Sequence, residues 1–197
     1  MKMLLCDDAA LDAAARILNS GGVAVIPTDT VYGLAAHPDF PSAVERLYAI
    51  KGRAAKKPIA LLAADASSAK RFLGGAFPPG AEALAERHWP GALTLVLPKG
   101  ADFEGLRVPA HDWTRLLLAR CGGVLRVTSA NLSGRRPATD APAALAEVGL
   151  SADIVLDGGV SPGGVPSTVV RIDPSGSLSV LRQGAVAVDA EPSHSRP

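Results

Sequence analysis

Four apolar residues, Val23-Ala24-Val25-Ile26, break at Pro27 and give way at once to Thr28-Asp29-Thr30-Val31-Tyr32-Gly33-Leu34. The first run is short and rich in β-branched residues, so it reads as a buried strand. Proline brings no backbone donor to a sheet, so the strand ends there. Two hydroxyls, a carboxylate and a phenol then follow within five residues. Polar side chains crowded at the end of an α/β strand face a crevice where ligands bind, although an ordinary polar loop exit has the same letters. Gly33 is expected to let the backbone turn or approach a ligand closely.

The remaining chain must supply partners for that strand end. A helix capped by Asp7 or Asp8 carries Ala10, Leu11, Ala14, Ala15, Ile17 and Leu18, and stops at Gly21-Gly22. A second opens at Pro41-Ser42 and runs to about Ile50; further helices are expected over 67–73, 80–88, 113–120 and 141–148. Strands are expected over 59–63, 92–97, 106–109, 124–127 and 153–156, with 167–172 and 178–181 pairing as a hairpin across Asp173-Pro174-Ser175-Gly176. Helices and strands interleave without strict alternation. The expected fold is α/β: a single domain with a twisted mixed sheet, helices on its faces and a central crevice. The domain is expected over 1–188, with a polar, Pro-containing disordered tail over 189–197.

Composition narrows the function classes. In 197 residues, 48% are hydrophobic but only 4% aromatic, so Ala, Val, Leu and Ile must build the core. The formal net charge of +1 lacks the strong overall basicity of a nucleic-acid coat protein. Two cysteines, Cys6 and Cys121, offer neither a disulfide framework nor zinc spacing, and four histidines show no ligand spacing. The apolar stub before Asp7 is too short for a signal-peptide core, and no apolar run nears the ~18 residues of a membrane helix. A reduced, cytoplasmic setting without membrane association is the expectation.

Three polar clusters follow strands: 28–32, Thr128-Ser129-Ala130-Asn131 and Ser167-Thr168. Their hydroxyls and amides suit a site that orients a small ligand by neutral hydrogen bonds. Each taken alone is equally well turn chemistry, and Asn131 could simply form an Asx turn. Lys51-Gly52-Arg53, followed by Lys56-Lys57, reads either as a solvated helix end, where cations favour the dipole, or as a phosphate clamp. In the second reading Arg53 offers a planar fork and Lys51 a point charge, and together they hold a triphosphate. Arg107 and Arg182 sit beside strand breaks and are candidates for the same crevice, or for surface salt bridges. No Walker loop or G-x-G-x-x-G occurs. Gly159-Val160-Ser161-Pro162-Gly163 has the letters of a nucleophile elbow, but Pro162-Gly163-Gly164 precludes the helix that an elbow requires.

Seven words occur in one order: PTDTVYGL at 27–34, KGR at 51–53, WPGALT at 89–94, RVPAH at 107–111, SANLSG at 129–134, PSTVV at 166–170 and LRQG at 181–184. On these the chain resembles the YrdC-like threonylcarbamoyl-AMP synthase family, in its short, single-domain form. The resemblance implies a synthase joining L-threonine, bicarbonate and ATP into threonylcarbamoyl-AMP with release of pyrophosphate. A downstream tRNA threonylcarbamoyl-transfer complex would then modify an adenosine beside the anticodon. It implies that Lys51, Arg53, Ser129, Asn131 and Arg182 hold ATP. Thr30, Arg107 and Ser167 would bind threonine, and Tyr32 would line the carbonate end. Lys51, Arg53 and Tyr32 are then the catalytic candidates. Mg²⁺ is expected with ATP, bridging phosphate oxygens. Departures are Ala54 and Thr128, where many members carry Pro, and Leu62, where some place a His.

Two rivals stand beside this reading. An RNA-binding module would use the basic loop with Lys70-Arg71 and Arg135-Arg136 on backbone phosphates, and some weak RNA binding is compatible with either reading. A carbamoyl-transfer domain would use carbamoyl phosphate in place of threonine chemistry.

Overall fold

The computed structural model describes residues 2–52 and 58–188. Arg53, Lys56, Lys57 and the tail from 189 lie outside the described residues.

Asp7 caps the first helix as its sequence position demands, its carboxylate accepting from the Ala10 amide at 2.7 Å. That helix, α1 (Asp8–Leu18), buries Ala10, Leu11, Ala14, Ala15 and Leu18 on one face. It follows β1 (Lys2–Leu5) and leads through a turn into β2 (Val23–Ile26), then β3 (Gly33–Ala36). After α2 (Pro41–Lys51) come β4 (Leu61–Ala63), α3 (Ala66–Leu73) and α4 (Ala81–His88). A tight hairpin, β5 (Leu93–Lys99) and β6 (Asp102–Arg107), leads to α5 (Asp112–Arg120), β7 (Val124–Ser129) and α6 (Ala141–Glu147). The chain closes with β8 (Ile154–Asp157), β9 (Thr168–Ile172) and β10 (Leu178–Arg182).

The ten strands of the described residues form one mixed sheet in the order β1-β8-β2-β3-β7-β4-β6-β5-β9-β10. The expected α/β architecture is therefore present, and β9–β10 is the expected antiparallel hairpin. Two strands were not expected. β1 pairs in parallel with β8, so the N-terminal stub is a sheet edge. Gly33 begins β3, which pairs antiparallel with both β2 and β7. Gly33 makes no left-handed turn; a Cβ there would lie 2.5 Å from Val127 Cγ1, so glycine is what lets β3 and β7 close up. β6 begins four residues before the expected strand, at Asp102 rather than Leu106.

The period of two along β5 divides its duties between the sheet's faces. Leu93, Leu95 and Leu97 are fully buried and share a core with Ala69, Phe77, Ala81 and Ala85 of the α3–α4 layer. Burying each leucine contributes roughly 1.5–3 kcal/mol. Thr94 and Val96, the alternate residues, face the other way into a cavity. β6 divides likewise, with Leu106 in the core and Phe103, Gly105 and Arg107 lining the cavity. On that second face, α1 and α5 pack over β2, β8 and β7 through Leu11, Leu18, Leu117, Leu118 and Leu125. The cavity opens where this helical cover gives out. No described helix is long and apolar enough to cross a membrane.

Candidate active site

The cavity encloses about 590 Å³ and is built from segments scattered through the chain. Thr28, Thr30, Val31 and Tyr32 come from the loop after β2, Ser129 and Asn131 from the end of β7 and the turn after it. Ser167 and Arg182 come from the β9–β10 unit, and Thr94 and Arg107 from β5 and β6. Every expected site residue within the described part of the chain lines this space, except Lys51, which lies beneath its edge. Arg53 lies outside the described residues.

Lys51, the last residue of α2, is only 3% exposed, which rules out the solvated helix end for this residue. Its Nζ donates to the carbonyl oxygens of Ser129 at 2.5 Å and Asn131 at 2.8 Å. The Ser129 hydroxyl and Asn131 Oδ1 lie 3.3 Å away. Asn131 in turn donates through Nδ2 to the carbonyls of Leu132 and Arg135, both at 2.8 Å. Asn131 therefore laces the turn through its amide rather than forming a bare Asx turn. Lys51 and Asn131 together fix the backbone of residues 129–135, which forms one wall of the cavity.

A second wall centres on Arg107, 6% exposed. Its Nε donates to the Gly91 carbonyl at 2.9 Å and its Nη1 to Thr30 Oγ1 at 2.9 Å. Its Nη2 donates to the Asp29 carboxylate, so this is a buried ion pair rather than a surface one. Burial pushes the Arg107 guanidinium down from its ordinary pKa, and the Asp29 charge opposes that shift. Thr28 donates its hydroxyl proton to the Val31 carbonyl at 2.6 Å. The hydroxyl of Thr28 must then accept that of Thr30, 3.1 Å away, leaving Thr30 as donor to Thr28 and acceptor from Arg107.

Tyr32 is fully buried. Its phenol donates to the Gly159 carbonyl at 2.7 Å and accepts from the Gly158 amide at 3.0 Å. Burial raises its pKa to about 12. These bonds pin the glycine-rich loop between β8 and β9 against the 28–32 loop, and the amides of Gly163 and Gly164 add bonds to the carbonyls of Asp29 and Thr30. A Cβ at Gly163 would lie 2.7 Å from the Asp29 carbonyl, so only glycine permits that approach.

Ser167 Oγ sits 2.8 Å from Thr94 Oγ1. Arg182 is exposed; its Nη2 donates to the Ser167 carbonyl at 2.6 Å. Leu62 also reaches the cavity while packing into the α1–α5 core, so its position offers an apolar surface. Thr94, the apolar lining of Val96, Phe103 and Val169, and Arg135 also line the cavity, and no sequence motif marks them for it; Arg135 stands out in the sequence only as an RNA contact. The alternation along β5 was the signal that could have found Thr94 and Val96. The cavity thus combines cations, neutral hydroxyls and an apolar side, an arrangement able to orient an anionic ligand with a flat apolar part beside a small polar one. No carboxylate appears among its described lining residues, and no described group of three or more His, Cys, Asp or Glu side chains could hold a metal ion.

Comparison with known proteins gives a consistent picture. A family profile for the Sua5, YciO and YrdC proteins, described as "Telomere recombination", matches residues 16–184. The chain is 35% identical over 169 residues to the threonylcarbamoyl-AMP synthase of Pyrococcus abyssi, covering 81% of this chain and 49% of that protein. It is 34% identical over 178 residues to the Bacillus subtilis protein of the same name, covering 85% and 51%. The chain thus spans about half the length of these curated relatives. Among solved structures, P. abyssi Sua5 complexed with L-threonine superposes with a TM-score of 0.86 at 32% identity, covering 92% of this chain and 57% of that one.

Proposed function

The chain belongs to the Sua5/YciO/YrdC family, and on that premise we propose that it synthesises L-threonylcarbamoyl-AMP from L-threonine, bicarbonate and ATP, releasing pyrophosphate. The observation that carries this reading is one cavity lined by Thr30, Arg107, Ser167, Ser129, Asn131 and Arg182, residues spread over more than 150 positions of sequence. The names of the relatives and the L-threonine bound to P. abyssi Sua5 support the substrate class.

Arg107, Thr30 and Ser167 present a guanidinium and two hydroxyls to the amino acid. The wall at Ser129 and Asn131, together with Arg182, faces the nucleotide, and the Lys-x-Arg motif assigns Arg53 to ATP. The amine of threonine adds to carbon dioxide, supplied by bicarbonate, and loses a proton to give a carbamate. A carbamate oxygen attacks the α-phosphorus of ATP; the bond to the β-phosphoryl oxygen breaks and pyrophosphate leaves. The protein's contribution is to hold both ends in line and to balance phosphate charge. Enclosure protects the carbamate and the mixed anhydride from water. With no carboxylate among the described lining residues, the site does not fit a protein-held magnesium ion, and any Mg²⁺ enters as a complex with ATP. Tyr32 acts by fixing the loop at Gly158 and Gly159. We place the protein in the cytoplasm, passing its product to a tRNA-modifying complex.

The test is pyrophosphate release from ATP by purified protein, with threonine and bicarbonate added singly and together. Release that needs both is expected, and carbamoyl phosphate should not replace them. Release indifferent to threonine, or driven by carbamoyl phosphate, would overturn the proposal.

A further inference from the structure

A second groove, of about 460 Å³, runs between α4 and α5, outside the cavity described above. Its walls have a definite chemistry. α4 contributes Glu82 and Glu86, α5 contributes Asp112, and Asp65 stands at the start of α3. Between them lie Ala85, Trp89, Val108 and Leu116, and Leu116 is 55% exposed on the outer face of α5. Four carboxylates against one guanidinium, Arg115, make this an acidic and apolar patch on a chain whose net charge is +1. Two of the carboxylates are engaged within the chain: Glu82 pairs with Lys70 at 2.7 Å, and Asp65 caps α3 through the Ser68 amide at 2.6 Å. Asp112 and Glu86 are exposed, and the Arg115–Asp112 pair is loose at 3.8 Å. Arg115 Nε is buried and finds no acceptor among the described residues.

We propose that this groove docks a basic amphipathic helix of a partner protein, one that seats an aliphatic side chain against Leu116 and Val108 and sets Lys or Arg on Glu86 and Asp112. Charge complementarity selects this occupant. A nucleic acid or an acidic segment would meet like charge, and a purely apolar segment would leave the rim carboxylates without gain. The groove and the candidate active site take consecutive residues of the chain. Val108 follows Arg107, its carbonyl accepts from the Gly91 amide at 2.8 Å, and the Gly91 carbonyl holds Arg107 Nε. A segment pressed on Trp89, Pro90 and Val108 therefore bears on residues that orient Arg107. The docking itself is independent of the reaction assigned to the cavity.

The test uses a leucine–lysine helical peptide of about 14 residues, long enough to hold a helix once bound, with a leucine–glutamate peptide as control. Trp113→Phe leaves Trp89 as the sole tryptophan, so its fluorescence reports on the groove. The lysine peptide should bind in the micromolar range with a Trp89 signal, and the glutamate peptide should not. Glu86→Lys with Asp112→Lys should weaken binding about tenfold or more, and Leu116→Ser about fivefold. These side chains are exposed, so unchanged thermal unfolding separates lost binding from lost fold. Three outcomes overturn the proposal. Binding that Leu116→Ser leaves untouched is charge adsorption only, and no binding up to millimolar peptide removes the site. Self-association of the protein abolished by Leu116→Ser makes a second copy the occupant.

Discussion

The two walls of the cavity bury a cation by different means. At one, the Lys51 ammonium is held by backbone carbonyls of Ser129 and Asn131, oxygens that no substitution can delete. At the other, the Arg107 guanidinium is held chiefly by side chains, the Asp29 carboxylate and the Thr30 hydroxyl, with one backbone contact at Gly91. The first arrangement makes a cation into a bracket for a loop. The second makes a matched pair whose members can be removed together. This difference governs how each wall should respond to mutation.

The largest effect is expected at Asp29. Asp29→Ala strands a guanidinium that is 6% exposed, and should cost about 3–5 kcal/mol in urea unfolding. Adding Arg107→Met should recover more than half of that loss, because the uncompensated charge goes too. A double variant no more stable than the single would break the contrast between the walls.

Lys51→Met should cost less, about 1–3 kcal/mol in all, because the buried charge leaves with its donor and only neutral carbonyls lose a partner. Here no second substitution can restore stability, since the acceptors are main chain. Hydrogen exchange should show residues 129–135 loosening while 28–32 stay protected. Equal loosening of both segments would mean that the walls are not separate units.

Tyr32→Phe should cost about 1–2 kcal/mol by freeing the Gly158 amide and Gly159 carbonyl. The phenol also gives this wall a pH signature. Its folded pKa, about 12, lies above the ordinary value of 10.0. The stability it contributes is therefore complete below pH 10 and is lost as pH rises from about 10 to about 12, where the unfolded chain ionises first. The difference in stability between wild type and Tyr32→Phe should shrink across that window and hold steady at neutral pH. The smallest effect is expected at Arg182, which is exposed: Arg182→Ala should change stability by less than about 0.5 kcal/mol while weakening nucleotide binding.

The walls also differ in how much of them could be read from the sequence. Asp7 caps α1 as its sequence position implies, because a cap is a contact over three residues. The hydroxyls of the 28–32 loop are legible for the same reason: a strand, a proline and a polar burst are adjacent. β3 was not legible. Gly33-Leu34-Ala35-Ala36 has little strand propensity, and it becomes a strand only because β2 and β7 flank it. β6 was recognised only from Leu106, since Asp102, Glu104 and Gly105 hide a hairpin with β5 that turns at Gly100. The role of Lys51 as a bracket depends on bonds to residues 78 and 80 positions away, which no local pattern carries. The Asp29–Arg107 pair, 78 positions apart, was equally out of reach, although both residues lay within motifs already singled out.

Under the proposed function, one wall of the cavity holds the nucleotide and the other the amino acid. Titration calorimetry with ATP and L-threonine, on wild type, Thr30→Val and Arg182→Ala, tests it most directly. Thr30→Val should weaken threonine about fivefold or more and leave ATP within about twofold, and Arg182→Ala should do the reverse. Variants that weaken both ligands alike, or neither, would contradict it.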